Sequence, residues 1–310
     1  MTDAPAIAVF APALVLLVEI ESDAEGRAEV HLHPGGQGFW VARMAAALGA
    51  RPLLCAPVGG ETGMVVHDLL ARDRTELRSV PMHSDNAAYI HERRGGERRT
   101  VLEGPASALG RHERDQLFSV TLGAALEAGT CVVAGAQQNA VVPDELYERL
   151  VTDLVGIGVH VVADLSGPLL CRALAGRPHV VKVSHEELVA DGWAEGDEPA
   201  ALADAIGRLC DAGARDVVVS RADQPTLASV DGEVLEVVVP SLQVLDHRGA
   251  GDSMTAALAV SAARGIPRRD ALALAAAAGA LNVTRHGLAS GHAATIEQLA
   301  NRVRVTPWRS

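Results

Sequence analysis

Aromatic residues are scarce: the 310 residues include 3 Phe, 3 Trp and 2 Tyr. That leaves too few rings for the stacking platforms that hold single-stranded nucleic acid, and the core has to be built from Ala, Val and Leu. Lysine is nearly missing, Lys182 being the sole one, so every other basic residue among the 27 is arginine. Positive charge is in deficit altogether, with 39 acidic residues and a formal charge of −12. Such a balance repels phosphate backbones and anionic lipid, which excludes a nucleic-acid binder. Four cysteines, Cys55, Cys131, Cys171 and Cys210, lie far apart without a CxxC pair, so neither a zinc site nor a disulfide framework is indicated. The apolar run from Ala6 to Val18 is too short to span a bilayer, and Asp3 stands where a signal peptide carries positive charge. A soluble, cytoplasmic protein is expected, with no membrane or nucleic-acid partner.

What is present is ordinary for a globular chain: 48% hydrophobic and 21% charged residues. Short β-branched runs at 6–10, 53–57, 130–134, 159–163, 179–183, 216–220 and 226–230 read as strands. Stretches of helical period lie at 38–49, 63–72, 111–127, 143–156, 199–212, 251–264, 268–284 and 294–303. This alternation predicts right-handed βαβ crossovers and an α/β fold, a mainly parallel sheet with helices on both faces. Segments 13–33 and 84–103 break the rhythm and look like extended arms, with Gly95-Gly96 as a hairpin turn. They predict a small β lid inserted into a single body of residues 1–310.

The sharpest local signal is Asp246-His247-Arg248-Gly249-Ala250-Gly251-Asp252, which follows an apolar strand near 234–239 and runs straight into an Ala-rich helix. Small residues at a helix start leave backbone N–H groups open to an anion, and the helix dipole adds to the attraction. Asp252 beside that nest is placed to take a proton from a hydroxyl as it attacks a phosphoryl group. The plainer alternative is a Gly-containing loop in which Asp252 only caps a helix. A second signal is HPGGQGFWVARMAAALG from residue 33, where Gly35, Gly36 and Gly38 precede a helix. Glycines there permit unusual φ or close approach of a ligand, and a Gly pair between arm and body suits a hinge.

Together the two stretches resemble the two signature regions of the PfkB, or ribokinase-like, carbohydrate kinases, in particular the phosphofructokinase and tagatose-6-phosphate kinase branch. RTVLEGPASAL (99–109), VVADLSGPLLCRAL (161–174), VVKVSHEEL (180–188) and LNVTRHG (281–287) are similar to that branch's intervening segments, so the likeness runs along the whole chain. The resemblance implies a three-layer α/β/α sandwich with a β lid, and an ATP- and Mg²⁺-dependent transfer to a hydroxyl of a sugar or sugar phosphate. It makes Asp252 the catalytic base and gives Gly249, Ala250 and Gly251 the anion hole. It puts Lys182, Ser184 and Glu187 on the nucleotide side, Glu187 reaching Mg²⁺ through water, and Ser220, Ala222, Asn282 and Gly287 around the adenine. Gly35, Gly36, Gln37, Trp40, Asn86 and Asp246 fall at acceptor-side positions, and the lid is expected to pair two copies of the chain.

Several positions depart from the branch's pattern. Val15 stands for a sugar-binding Asp, Gln37 for a Lys, Trp40 for an Asn, and Asp85-Asn86 for an Arg-led pair that grips the substrate's phosphate. Ser184 replaces an Asn, and Ala222 and Pro225 occupy a turn that the branch builds with glycines. Losing charge-assisted contacts worth about 1.5–3 kcal/mol each argues against a sugar phosphate held in the standard way. Two other readings stay open: a catalytically impaired member acting as a binding or regulatory protein, and a kinase for a less polar acceptor such as a nucleoside. Arg93, Arg94, Arg98 and Arg99 around the lid turn are either a solvated tip or a relocated anion clamp. His31, His33, His83 and His91 are expected at the surface or in turns.

Overall fold

Continuous apolar runs become buried strands here because helices cover both faces of the sheet they form. The structure, a computed structural model, describes residues 4–73, 75–94, 98–135, 141–284 and 289–309. The chain begins with β1 (Ala6–Phe10), forms an antiparallel pair from β2 (Val15–Ser22) and β3 (Ala28–Gly35), and enters α1 (Gln37–Ala47). β4 (Arg51–Val58), α2 (Gly60–Leu70) and β5 (Glu76–Pro81) follow, then a second antiparallel pair of β6 (Ala87–Glu92) and β7 (Arg99–Gly104). Next come α3 (Arg111–Ala128), β8 (Thr130–Ala134), α4 (Asp144–Gly156), β9 (His160–Asp164), α5 (Gly167–Ala175), β10 (Val180–Ser184), α6 (His185–Ala190) and α7 (Pro199–Ala212). A meander of β11 (Asp216–Arg221), β12 (Gln224–Val230) and β13 (Glu233–Val238) leads to α8 (Ala250–Ala263), α9 (Arg268–Asn282), α10 (Ala293–Ala300) and β14 (Arg304–Pro307).

The large sheet has the order β14-β13-β12-β11-β10-β9-β8-β1-β4-β5. Every pairing from β11 across to β5 is parallel, and β12, β13 and β14 add an antiparallel edge. Side chains alternate across the sheet and so feed two cores. Ile7 and Val9 of β1 pack with residues of α1, α8 and α9, whereas Ala8 and Phe10 pack with Leu117, Leu150, Leu170 and Ile206 of α3, α4, α5 and α7. The three-layer sandwich follows. Helix α8 is buried all along Ser253–Ser261, and it reaches that depth because small residues line it. A Cβ on Gly279 of α9 would stand 2.8 Å from Met254 Cγ, so glycine sets the closeness of the two helices.

The small sheet has the order β3-β2-β6-β7, with β2 and β6 joined in parallel. Leu16 and Val18 root it on Val65 and Leu69 of α2, while Val30 and Leu32 further out are exposed. The Gly95-Gly96 turn lies outside the described residues.

Four elements, β5, β14, α5 and α6, carry no clear signal in the sequence. β5 and β14 are edge strands with charged, half-exposed faces, and α6 spans only six residues. His91 is a correction: it is fully buried, not a surface residue, because β6 is an inner strand of the small sheet. Among the described residues no helix is long and apolar enough to cross a membrane.

Candidate active site

Open α/β sheets bind ligands beyond the carboxyl ends of their strands. Here β9 ends on Asp164 and β10 on Lys182-Val183-Ser184, with Lys182 in register beside Asp164. The lysine Nζ lies 3.4 Å from Asp164 Oδ1, and Thr255 Oγ1 of α8 donates to Oδ2 at 2.6 Å. Both groups of the pair are buried, at 3% exposure for Asp164 and 6% for Lys182.

Helix α8 points its amino end at this pair. Gly249 caps it at φ 72, in the left-handed region that favours glycine, and no side chain caps the helix. The first-turn N–H groups therefore face the cleft without a side-chain acceptor, as an anion cradle requires. A Cβ on Gly251 would meet Lys182 Nζ at 2.4 Å, so the ammonium rests directly against that first turn.

Asp252, in the same turn, is only partly exposed. Burial, then the nearby Asp164 and Glu187, push its carboxyl up to about 7, although Lys182 pulls the other way. For Lys182, desolvation opposes the charge most, yet Asp164, Glu187 and Asp252 together hold its ammonium above the ordinary value. Three carboxylates thus share one ammonium, and the one at the helix start sits near its midpoint at neutral pH. That is the condition of an effective general base.

Glu187 owes its place to a capping box. Ser184 N donates to Glu187 Oε2 at 2.8 Å, and Glu187 N donates to Ser184 Oγ at 3.2 Å. The short helix α6 and the position of the carboxylate are fixed by the same two bonds.

The remaining expected residues divide. Ser220 stands in register beside Ser184, and Ala222 adopts φ 48 at the β11–β12 turn, so the turn keeps a left-handed residue without a glycine. Asn282 donates to Arg248 O at 2.6 Å and accepts from Ala289 N at 2.8 Å, tying the end of α9 to the loop that enters α8. Gly287 lies outside the described residues. Gly36 caps α1 at φ 102, and a Cβ there would strike Ala13 O at 2.8 Å; the neighbouring Gly35 pairs with Val15. Gln37 bridges Asp164 O (3.3 Å) and Gly135 N (2.8 Å), bolting the ends of β9 and β8 together. Trp40 packs against Phe39 with Arg43 over its ring. Asn86 is buried, its Oδ1 accepting from Gly59 N and its Nδ2 donating to Leu14 O and Pro57 O, while Asp85 accepts from Glu61 N at the start of α2. These two side chains fix the backbone around Gly59-Gly60. Asp246 is held by Arg248, Nη2 to Oδ2 at 2.6 Å.

A cradle at a helix start, a carboxylate pushed toward neutrality and a buried ammonium beside both form the apparatus of phosphoryl transfer. The sequence model described as "pfkB family carbohydrate kinase" matches residues 6–295. The chain belongs to that family. It is 31% identical over 270 residues to the ATP-dependent 6-phosphofructokinase isozyme 2 of Escherichia coli, an alignment covering 86% of this chain and 82% of that one. To the 1-phosphofructokinase of Bacillus subtilis it is 25% identical over 279 residues, 88% of each chain. The crystal structure of phosphofructokinase-2 from E. coli in complex with potassium superposes with a TM-score of 0.84 at 25% identity, covering 96% of this chain and 99% of that one. As a member of the pfkB family the chain is an ATP-dependent carbohydrate kinase.

Sequence reasoning passed over three residues of this corner: Asp164, Thr255 and Arg248. Asp164 had a signal, a lone acid directly after the apolar run 159–163. Arg248 had one too, being the residue directly before the Gly-Ala-Gly-Asp stretch. Thr255 had none, because its hydroxyl matters only once α8 is docked over β9.

Proposed function

We propose that this kinase transfers the γ-phosphoryl group of ATP to a hydroxyl of a sugar or sugar phosphate, with Asp252 as the base. The observation that carries the reading is the uncapped amino end of α8 with Asp252 in its first turn and Lys182 against it. The acceptor hydroxyl gives its proton to an Asp252 oxygen as it attacks. The amides of Ala250 and Gly251 face the charge on the transferring group, and Lys182 adds its ammonium from the strand side. Asp164, itself held by the Thr255 hydroxyl, keeps that ammonium in place.

The donor set suits magnesium: Asp164 and Glu187 are hard oxygen donors beside the cradle. Among the described residues no three or more His, Cys, Asp or Glu gather into an all-protein site. Magnesium usually keeps its waters and takes one or two carboxylates plus substrate phosphates. When bound it neutralises the phosphate charge that three carboxylates would otherwise repel. Glu187, held by its capping box, would reach it through water.

Segments 13–33 and 84–103 would act as a lid on the body of residues 1–310 in a cytoplasmic enzyme, hinged at Gly35-Gly36. The exposed Val30 and Leu32 on one side of the small sheet support pairing with a second copy, since an open apolar sheet face invites association. Steady-state turnover of ATP over a panel of sugars and sugar phosphates tests the central claim. Asp252→Asn should lower kcat by about 10²–10⁴-fold, the usual range for a removed general base, while ATP still binds. Undiminished turnover in that variant would refute the assignment.

A further inference from the structure

Along a strand the side chains alternate, so Leu17 and Glu19 of β2 share one face with the residues opposite them. Those are His33 and His31 on β3, and Tyr89 and His91 on β6. This polar face is turned toward the loop that enters α8. Arg93, just past β6, lies 3.5 Å from Glu19 and 3.9 Å from Asp246. Arg248, on the loop itself, grips Asp246 through Nε and Nη2.

Arg98 comes in from the start of β7. Its Nη2 lies 2.8 and 2.7 Å from the ring nitrogens of the buried His91. Among the described residues no carboxylate comes within ion-pair distance of its guanidinium. Burial first, then the neighbouring guanidiniums of Arg248 and Arg93, hold Arg98 below its ordinary value. His91 is held low as well, by burial and then by Arg98, so a neutral ring accepts the guanidinium N–H. Arg93 is under-answered too, because its Nε is shielded from solvent and has no hydrogen-bond partner among the described residues.

Three guanidiniums therefore converge beside the loop that leads into the catalytic turn, with Glu19, Asp246 and Glu103 around them. Asp246 is already engaged by Arg248, and Glu103 lies 3.6 Å from His91 without reaching ion-pair distance of Arg98. Bringing like charges together is unfavourable unless an anion joins them, and the planar fork of arginine matches an oxyanion in two-point contact. The transferring phosphoryl group has its own cradle in the first turn of α8. A second anion position four residues ahead of Asp252 belongs to the other substrate.

We infer that Arg93, Arg98 and Arg248 form a recognition site for an oxyanion carried by the acceptor sugar, a phosphate or a carboxylate, with His91 as the residue that positions Arg98. The inference rests on the kinase reading only for which end of the acceptor reacts. Binding tests it without turnover. Isothermal titration in the absence of ATP would compare fructose 6-phosphate, gluconate and fructose on the native protein, Arg98→Gln, Arg248→Gln and Arg98→Lys. One of the two anionic ligands should bind the native protein about tenfold or more tightly than fructose, the worth of a charge-assisted contact. A preference for fructose 6-phosphate assigns a phosphate, and one for gluconate a carboxylate. Either Gln variant should reduce that preference severalfold or more, Arg98→Lys should retain part of it, and ATP binding by all variants, measured separately, reports an intact fold. Equal binding of the three ligands to the native protein overturns the inference. So does a preference that survives both Gln substitutions, or an equal weakening of all three ligands, which would make the arginines a mere latch. A protein with no kinase activity would still give the anion preference, so the two claims fail separately.

Discussion

Where the parallel strands end, each charged side chain is answered by another: Asp164 by Lys182 and Thr255, Glu187 by the Ser184 amide, Asp252 by the ammonium resting on Gly251. Across the cleft, on the polar face of the small sheet, Arg98 meets a neutral ring and Arg93 reaches its two acids only at 3.5 and 3.9 Å. The first wall is held by the large sheet and by a buried helix, so its geometry is set by folding. The second stands on two antiparallel pairs joined by β2 and β6 and rooted on α2. On the function proposed above, the chemistry of transfer belongs to the rigid wall, and on the further inference the choice of acceptor belongs to the wall that is easier to alter. Gln37, Asp85 and Asn86 illustrate the difference. Gln37 is engaged with the ends of β9 and β8, and Asp85 and Asn86 with the backbone around Gly59-Gly60 at the start of α2.

Lys182→Met is the largest perturbation of the rigid wall. It leaves Asp164 buried without its cation, a change that typically costs about 3–5 kcal/mol of stability, and it removes the one charge that favours ionised Asp252. The expected result is a lower urea midpoint at unchanged slope, together with an acid limb of activity displaced to higher pH if any turnover survives. A variant as stable as the native protein would show that the corner is less tightly coupled than its geometry states.

The rigid wall was also the legible one. Gly249, Ala250, Gly251 and Asp252 declare a helix start with an acid in its first turn, and the apolar runs 6–10, 130–134 and 179–183 declare buried parallel strands. Asp164 was less visible, because its role comes from register with Lys182 on a neighbouring strand 18 residues away. The second wall was legible only as a count of arginines. Which of Arg93, Arg94, Arg98 and Arg99 turn inward depends on strand parity and on the irregularity at Ile90/His91, and neither can be read from composition. β5 and α6 were hidden for a related reason, being elements held by tertiary pairing and by a cap, not by periodicity.

A pH titration sharpens the contrast at intermediate scale. Asp252, raised in the fold to about 7, binds its proton more tightly folded than unfolded, so its effect on stability worsens as pH rises from about 4 to 7. Activity that needs its carboxylate should rise over the upper end of the same window, in a limb absent from Asp252→Asn. At the opposite ends of the strands, His160 lies 4.4 Å from His179 between ring centroids. Burial, then His179, lower its value to about 4. That group contributes the reverse slope: its stability is present above about 6.5 and is lost as pH falls toward 4. Urea unfolding at several pH values should show His160→Asn flattening the loss toward acid and Asp252→Asn flattening the loss toward neutrality. If one variant removed both slopes, the two ends of the sheet would not be independent.

The smallest expected effect lies within the small sheet itself. Arg94 and Arg99 both pair with Glu92, whose carboxylate they hold below its ordinary value, Arg99 first. Glu92 alternates with His91 and therefore points to the other face of β6. Exposed ion pairs of this kind contribute little, since solvent and salt screen them. The double substitution Arg94→Gln with Arg99→Gln should leave the melting temperature and the KM for the acceptor close to native, whereas Arg98→Gln one residue away should raise that KM. Four arginines around one turn would then divide by the face they occupy. An equal rise in KM from both sets would mean that charge on the tip as a whole, and not the inward pair, attracts the acceptor. A dependence on ionic strength would accompany that outcome, because steering by exposed charge fades as salt is added.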